Sequence, residues 1–101
     1  MKIEDIRELA KNPNAVFWSL HIAKRLVNRG ISRTEVLECI NKGTIIEDYP
    51  TAYPHPACLI YCNSGNNPLH VCVGSDGINL WIVTAYIPSL EKFMEDLKTR
   101  R

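Results

Sequence analysis

Leu69, Val71 and Val73 alternate with His70 and Cys72. A period of two sends successive side chains to opposite faces, so the stretch 67–74 predicts a strand. Turn residues bracket it, Ser64-Gly65-Asn66 before and Ser75-Asp76-Gly77 after. Beyond each turn lies another apolar run of strand length, 57–62 and 78–86. The three runs predict an antiparallel meander with 67–74 inside it. A fourth alternating stretch, 44–49, predicts the first strand, with Ile45, Glu47 and Tyr49 on one face. Two-residue turns at Gly65-Asn66 and Asp76-Gly77 place Tyr61 and Val83 opposite His70, and Trp81 opposite Cys72. On that register Cys58, Ile60, Cys62, Leu69, Val71, Val73, Leu80 and Ile82 form the core face. Leu59, Tyr61, His70, Cys72, Trp81 and Val83 form a mixed, more open face.

Helical spacing governs the rest. Ile3, Ile6, Leu9 and Ala10 predict a first helix that stops at Asn12-Pro13, because the residue before proline is pushed out of the α region. A second helix is predicted over 14–29, ending at Gly30. Its apolar arc centres on Val16, Leu20, Ala23 and Val27, with His21, Lys24, Arg25, Asn28 and Arg29 opposite. Ser32-x-x-Glu35 is a capping box that starts a third helix, with Val36, Leu37 and Ile40 as its stripe and Gly43 at its end. Leu90, Phe93, Met94 and Leu97 recur at i, i+3, i+4 and i+7, predicting a last helix over 89–98 capped by Ser89. The predicted order is three helices, four strands, one helix. That segregation makes the chain α+β, one domain over residues 1–101 with N-terminal helices packed on a four-stranded antiparallel sheet.

Charge changes the picture by its distribution. The net charge of +1 is too small to indicate nucleic acid by itself. Residues 1–34 carry seven Lys/Arg against three Asp/Glu, whereas residues 35–101 carry five against eight. A polyanion would therefore meet the N-terminal helices first, with Lys98, Arg100 and Arg101 as a second basic group. The apolar runs fall well short of the roughly 18 residues a membrane span needs. Met1-Lys2-Ile3-Glu4-Asp5 turns acidic at once, unlike a signal peptide, which predicts a cytoplasmic location. Cys39, Cys58, Cys62 and Cys72 form no C-x-x-C pair. Free thiols are expected in that compartment, with Cys58 and Cys62 reduced and buried.

Several motifs occur in a fixed order. They are Ser19-x-His21-x-x-x-Arg25, Arg29-Gly30-Ile31-Ser32-x-x-Glu35-Val36, and Gly43-x-Ile45-Ile46-Glu47-Asp48-Tyr49-Pro50. Pro56, Pro68-Leu69-His70-Val71 and Ile82-Val83-Thr84-Ala85-Tyr86-x-Pro88 follow. This set resembles the domain-of-unknown-function family forty-two fifty-eight, grouped with the RelE/ParE/BrnT-like toxins. The resemblance covers nearly the whole chain beyond the first helix. It implies a RelE-like architecture and a toxin of a toxin–antitoxin pair, some of whose relatives cleave messenger RNA without a metal. A cognate antitoxin and RNA or the ribosome are the implied partners, and no cofactor is implied. The chain departs from the group in its low net charge and its four cysteines.

Metal-free RNA cleavage needs a base for the 2′-hydroxyl, an acid for the leaving oxygen and positive charge on the phosphorane. His21 and Arg25 lie one helical turn apart and match the acid–base and phosphate roles. The alternative is a solvated helix face. His70, an imidazole in a central strand, must be hydrogen-bonded or sit at a site, with Glu47 or Tyr61 as its partner. Tyr86 is a further candidate, placed by the expected register on the opposite face from His70. The expected site therefore has His21 and His70 flanking a phosphate, Arg25 beside it, and Glu47 setting a tautomer. Lys24, Arg29 and Arg100 are expected RNA contacts. A metal reading would use His55, Cys58, Cys62, His70 and Cys72, but their parities diverge and free thiols are the better account. The alternatives to catalysis are a protein- or ligand-binding module with the same fold, and a housekeeping domain that binds a small ligand.

Overall fold

In the computed structural model, which describes residues 1–101, three helices lie against one face of a five-stranded sheet. The helices are α1 (Ile3–Ala10), α2 (Leu20–Arg29) and α3 (Arg33–Lys42). The strands are β1 (Val16–Phe17), β2 (Thr44–Tyr49), β3 (Ala57–Ser64), β4 (Asn67–Ser75) and β5 (Leu80–Tyr86), in the spatial order β1-β5-β4-β3-β2. The fold is α+β. No helix is long and apolar enough to cross a membrane.

The central alternation behaves as its pattern dictates. Cys58, Ile60, Leu69, Val71, Val73, Leu80 and Ile82 are all buried in one cluster with Ile6, Ile22, Leu26, Val36, Cys39 and Ile40 from the helices. Fully burying an aliphatic side chain contributes about 1.5–3 kcal/mol over leaving it exposed, so this seam carries the fold. The Gly65-Asn66 turn is a two-residue hairpin, with Ser64 paired to Asn67 and Tyr61 to His70. The capping box also forms: Ser32 Oγ accepts from the Glu35 N–H at 3.0 Å, and Glu35 accepts from the Ser32 N–H at 3.2 Å.

Five expectations are corrected. The sheet is mixed rather than a pure antiparallel meander, because β1 runs parallel to β5 and pairs Val16 with Leu80 and Phe17 with Trp81. The second helix starts at Leu20, not residue 14. Ser19 caps it by accepting from the Ile22 N–H at 3.1 Å, which frees Val16 and Phe17 to pair as a strand. Its buried stripe is Ile22 and Leu26, while Leu20 and Val27 stand exposed. The turn after β4 spans four residues, since Ser75 pairs with Leu80 and Asp76 accepts from the backbone N–H groups of Ile78 and Asn79.

The last correction concerns the C-terminus. Residues 89–98 form no helix. Phe93 alone of the periodic residues is fully buried, and Leu90 and Met94 are exposed. Asp96 accepts from the N–H groups of Lys98 and Thr99, a local turn that competes with helical hydrogen bonding. Leu97 sits in the left-handed region at φ 57. Arg101 Nε donates to the carbonyls of Leu90 and Phe93, which a helix would have used internally. The segment crosses the face of the sheet that the helices leave open.

Two features fix the C-terminal end of α3, one to α1 and one to the sheet. Arg7 of α1 donates to the carbonyls of Ile40 and Gly43 at 3.2 and 2.8 Å, capping the C-terminal end of α3. Gly43 itself leaves no room for a side chain. A Cβ there would lie 2.5 Å from the Cys39 carbonyl oxygen, 2.6 Å from that of Tyr61 and 2.7 Å from Ile60. Two of those neighbours are backbone and cannot swing away. Gly43→Ala is expected to destabilise the domain by about 3 kcal/mol through overpacking. Urea unfolding of wild type and variant measures this; equal midpoints would show that α3 can lift off β3 without cost.

Candidate functional site

Two bulges decide which side chains share the open face. In β2, Ile45 pairs with Ile60 and Glu47 with Leu59, so Ile46 is the extra residue. Ile45 therefore turns to the core while Glu47 and Tyr49 face the other way, which corrects the expectation that all three share a face. In β5, Cys72 pairs with Thr84 and Val73 with Ile82, leaving Val83 unpaired. The register beyond it shifts by one. Tyr86, not Val83, lies opposite His70 and on its face.

His70 is completely buried on this open face, under the C-terminal segment. Its ring packs edge-on against Phe93 at 4.5 Å, Tyr86 at 5.3 Å and Tyr61 at 5.8 Å. Nε2 lies 2.6 Å from the Leu97 carbonyl oxygen and Nδ1 3.2 Å from the Tyr86 hydroxyl. A carbonyl can only accept, so the network assigns the proton to Nε2 and makes Nδ1 the acceptor of the Tyr86 O–H. Burial pushes the imidazole pKa below its ordinary value, and the ring is neutral. Burial likewise raises the Tyr86 phenol.

Beside this buried ring lies a charged group that solvent reaches. Arg100 Nε and Nη2 donate to the two Glu47 carboxylate oxygens at 3.1 and 2.9 Å, a bidentate pair. Tyr49 donates its hydroxyl to Glu47 Oε1. The Arg100 guanidinium also lies over the Phe93 ring, 4.8 Å from its centre. The Arg100 hydrogen bonds, with Tyr49 assisting, hold the Glu47 carboxyl below the usual carboxylate range. Burial and then Glu47 push the Tyr49 phenol up to about 12, so it keeps its proton at neutral pH. Glu47 raises the pKa of Arg100, which stays charged. An acceptor carboxylate, a fixed positive fork and a protonated phenol therefore occupy one patch of surface.

Of the expected site residues, the structure brings together Glu47, His70, Tyr86 and Arg100. It does not bring His21, Lys24, Arg25 or Arg29 to them. Those four project from α2, which packs on the core face through Ile22 and Leu26. His21 and His70 are thus separated by the sheet and cannot flank one phosphate. Arg29 instead caps the edge of β5, donating to the Ala85 carbonyl at 2.7 Å and to Thr84 Oγ1 at 3.3 Å. His70 does not take its tautomer from Glu47, since its ring nitrogens are spoken for by Leu97 and Tyr86. Tyr49 is the participant that received no role from the sequence; its alternation with Glu47 along β2 was the available signal. Candidate metal ligands do not converge: His55 stacks on Trp81 at 4.3 Å, Cys58 faces the core and Cys72 the open face. Cys58 is buried as expected, whereas Cys62 is only half-buried.

A family model described as a domain of unknown function, DUF4258, matches residues 18–87. No curated protein and no solved structure matches the chain.

The buried imidazole makes stability depend on pH with a definite sign. The unfolded chain takes up a proton at the ordinary histidine value of 6.5, and the folded chain resists it to lower pH. His70 stability is therefore fully present above that value and lost as pH falls through the folded-state pKa. Glu47, also depressed, adds its loss only below its ordinary value of 4.5. Urea midpoints of wild type should fall between about pH 7 and about pH 5. His70→Gln should start lower and vary less over that interval. A wild-type midpoint that stays flat would mean that the ring is protonated beneath the segment.

Proposed function

The chain belongs to the DUF4258 family, and we propose that this member is a toxin-type domain, related to the RelE/ParE/BrnT-like group, that cleaves RNA without a metal. The observation that carries the reading is the meeting of Glu47, Tyr49 and Arg100 on the face away from the helices, with Tyr86 and His70 behind them. These residues come from β2, β4, β5 and the C-terminal segment. Their types are those that phosphodiester cleavage requires.

In this mechanism the Arg100 fork transfers from Glu47 to the scissile phosphate, for which its planar geometry suits it. Losing that partner returns the Glu47 pKa toward its usual range and makes it a better base. Glu47 then removes the 2′-hydroxyl proton as the 2′-oxygen bonds to phosphorus. The bond from phosphorus to the 5′-oxygen breaks, and that oxygen receives a proton from the Tyr49 phenol. Arg100 neutralises the charge that builds on the phosphorane. The products are a 2′,3′-cyclic phosphate and a 5′-hydroxyl. His70 acts as a positioning residue, holding the Tyr86 hydroxyl and the Leu97 carbonyl and so the segment that carries Arg100. RNA, alone or on the ribosome, is the proposed substrate, and a cognate antitoxin that covers this face is the proposed partner.

A second reading has its own support. Glu47 and Arg100 satisfy each other, and both His70 nitrogens are occupied, as in a module that binds without cleaving. Purified protein with RNA, with and without ribosomes, separates the two. Cleavage should resist EDTA and leave 2′,3′-cyclic ends, and Glu47→Gln should slow it by about 10²–10⁴. Arg100→Ala should weaken cleavage and binding and flatten the salt dependence of binding. His21→Ala, across the sheet, should leave cleavage unchanged. Salt-sensitive binding with no cleavage in either format would favour the module.

A further inference from the structure

The cysteines on the helix side have no part in that chemistry, and two of them are placed together. Gly43 lets the last turn of α3 approach β3 more closely than any side chain would permit. Its N–H donates to the Cys39 carbonyl at 2.7 Å, so Cys39 lies one turn back along the same tightly seated end. The Cys39 thiol is 3.7 Å from the Leu69 carbonyl oxygen. Leu69 pairs directly with Cys62 across β3 and β4, and Cys62 faces the same core as Cys39. Cys39 and Cys62 both line one cleft of about 820 Å³, between the end of α3 and the β3–β4 hairpin, with Lys42 and Lys98 also on its walls. The thiols are near enough that Cys62 adds to the rise that burial gives the Cys39 pKa.

The other two cysteines also sense each other, Cys72 adding to the rise that burial gives the Cys58 pKa, but they project from opposite faces of the sheet. Cys58 lies opposite Val73 and faces the core, whereas Cys72 lies opposite Leu59 and faces the open side. The sheet separates their sulfurs. Cys39 is fully buried, whereas Cys62 is half-buried and lines the cleft, where a small reagent meets it first.

We propose that Cys39 and Cys62 form a peroxide-sensitive dithiol that closes to a disulfide, tying α3 to β3. The Cys62 sulfur attacks one peroxide oxygen and breaks the O–O bond. The other peroxide oxygen leaves as water with the Cys62 thiol proton, and Cys62 becomes a sulfenic acid. The Cys39 sulfur then attacks the Cys62 sulfur, the S–O bond breaks, and the hydroxyl leaves as a second water with the Cys39 proton. Two thiols lose two electrons in all, and the peroxide takes both. The resulting cross-link spans β2 and the following residues 50–56, with Pro50, Pro54 and Pro56, and so it constrains the unfolded chain.

The test treats the purified full chain with hydrogen peroxide, blocks remaining thiols, and maps cross-linked peptides by mass spectrometry without reduction. A Cys39–Cys62 peptide within one chain is expected, with Cys58 and Cys72 still free. The melting temperature should rise by about 10 °C and return on adding dithiothreitol. Cys62→Ser should show neither the peptide nor the rise. Should that variant fail to fold, the wild-type map decides alone. Oxidation of Cys62 that ends at sulfinic acid, a cross-link between any other pair, or no cross-link at all would overturn the proposal.

Discussion

A neutral imidazole held between a backbone carbonyl and a phenol organises the open face of this protein. His70 donates to Leu97 and accepts from Tyr86, and neither bond can reverse without moving the proton. An unsatisfied buried ring would cost about 1–3 kcal/mol for each orphaned group. That cost makes the C-terminal segment part of the fold rather than a loose end. The segment supplies the carbonyl, seats Phe93 on the ring, and so delivers Arg100 to Glu47. The left-handed backbone at Leu97 is unfavourable by about 1 kcal/mol, and the bond to His70 together with the buried Phe93 offsets it. Removing the imidazole would therefore disturb a charged pair that it does not touch.

The two sides of the sheet divide the work. The helix side is apolar and continuous from Ile6 through Val71 to Leu80, and its strength comes from area. The open side is held by few apolar contacts and by directional bonds among His70, Tyr86, Glu47, Tyr49 and Arg100. Directional bonds fix positions to a fraction of an ångström but depend on protonation. This is why acid should loosen the site before it loosens the core.

How much of this was legible in the sequence follows from the same division. The core face was readable because alternation along β3 and β4 is unbroken; His70 stood out against it for the same reason. Reading failed wherever one residue was inserted. Ile46 and Val83 are the extra residues of two bulges, and each reverses the faces of everything beyond it. Tyr86 was thereby placed on the wrong side, and Ile45 grouped with Glu47. The Leu90, Phe93, Met94 and Leu97 spacing reads as a helix locally. It loses because the open face needs Phe93 and a carbonyl over His70, and because Asp96 closes its own turn. In α2 the pattern is strongly amphipathic, but Ile22 and Leu26 lie to one side of its apolar arc, and their packing against the sheet, rather than the centre of the arc, sets the rotation of the helix. The basic charge on that helix was visible, but nothing in a one-dimensional pattern says on which side of a sheet a helix lies.

The matched family span and the site do not coincide. Glu47, Tyr49, His70 and Tyr86 fall within residues 18–87, whereas Leu97 and Arg100 lie beyond. The first four would present a carboxylate, two phenols and an imidazole on an uncovered strand face. Without Leu97 the imidazole loses its acceptor, and without Arg100 the carboxylate keeps its negative charge but loses the cation that balances it and lowers its pKa. The patch would then be acidic and repel a phosphate. With the segment in place, the same patch carries a guanidinium half-exposed to solvent, fixed by two bonds and an aromatic face. Whether this patch carries an unopposed carboxylate or a neutralised, bidentate ion pair is set by the C-terminal segment and by the histidine that holds it down.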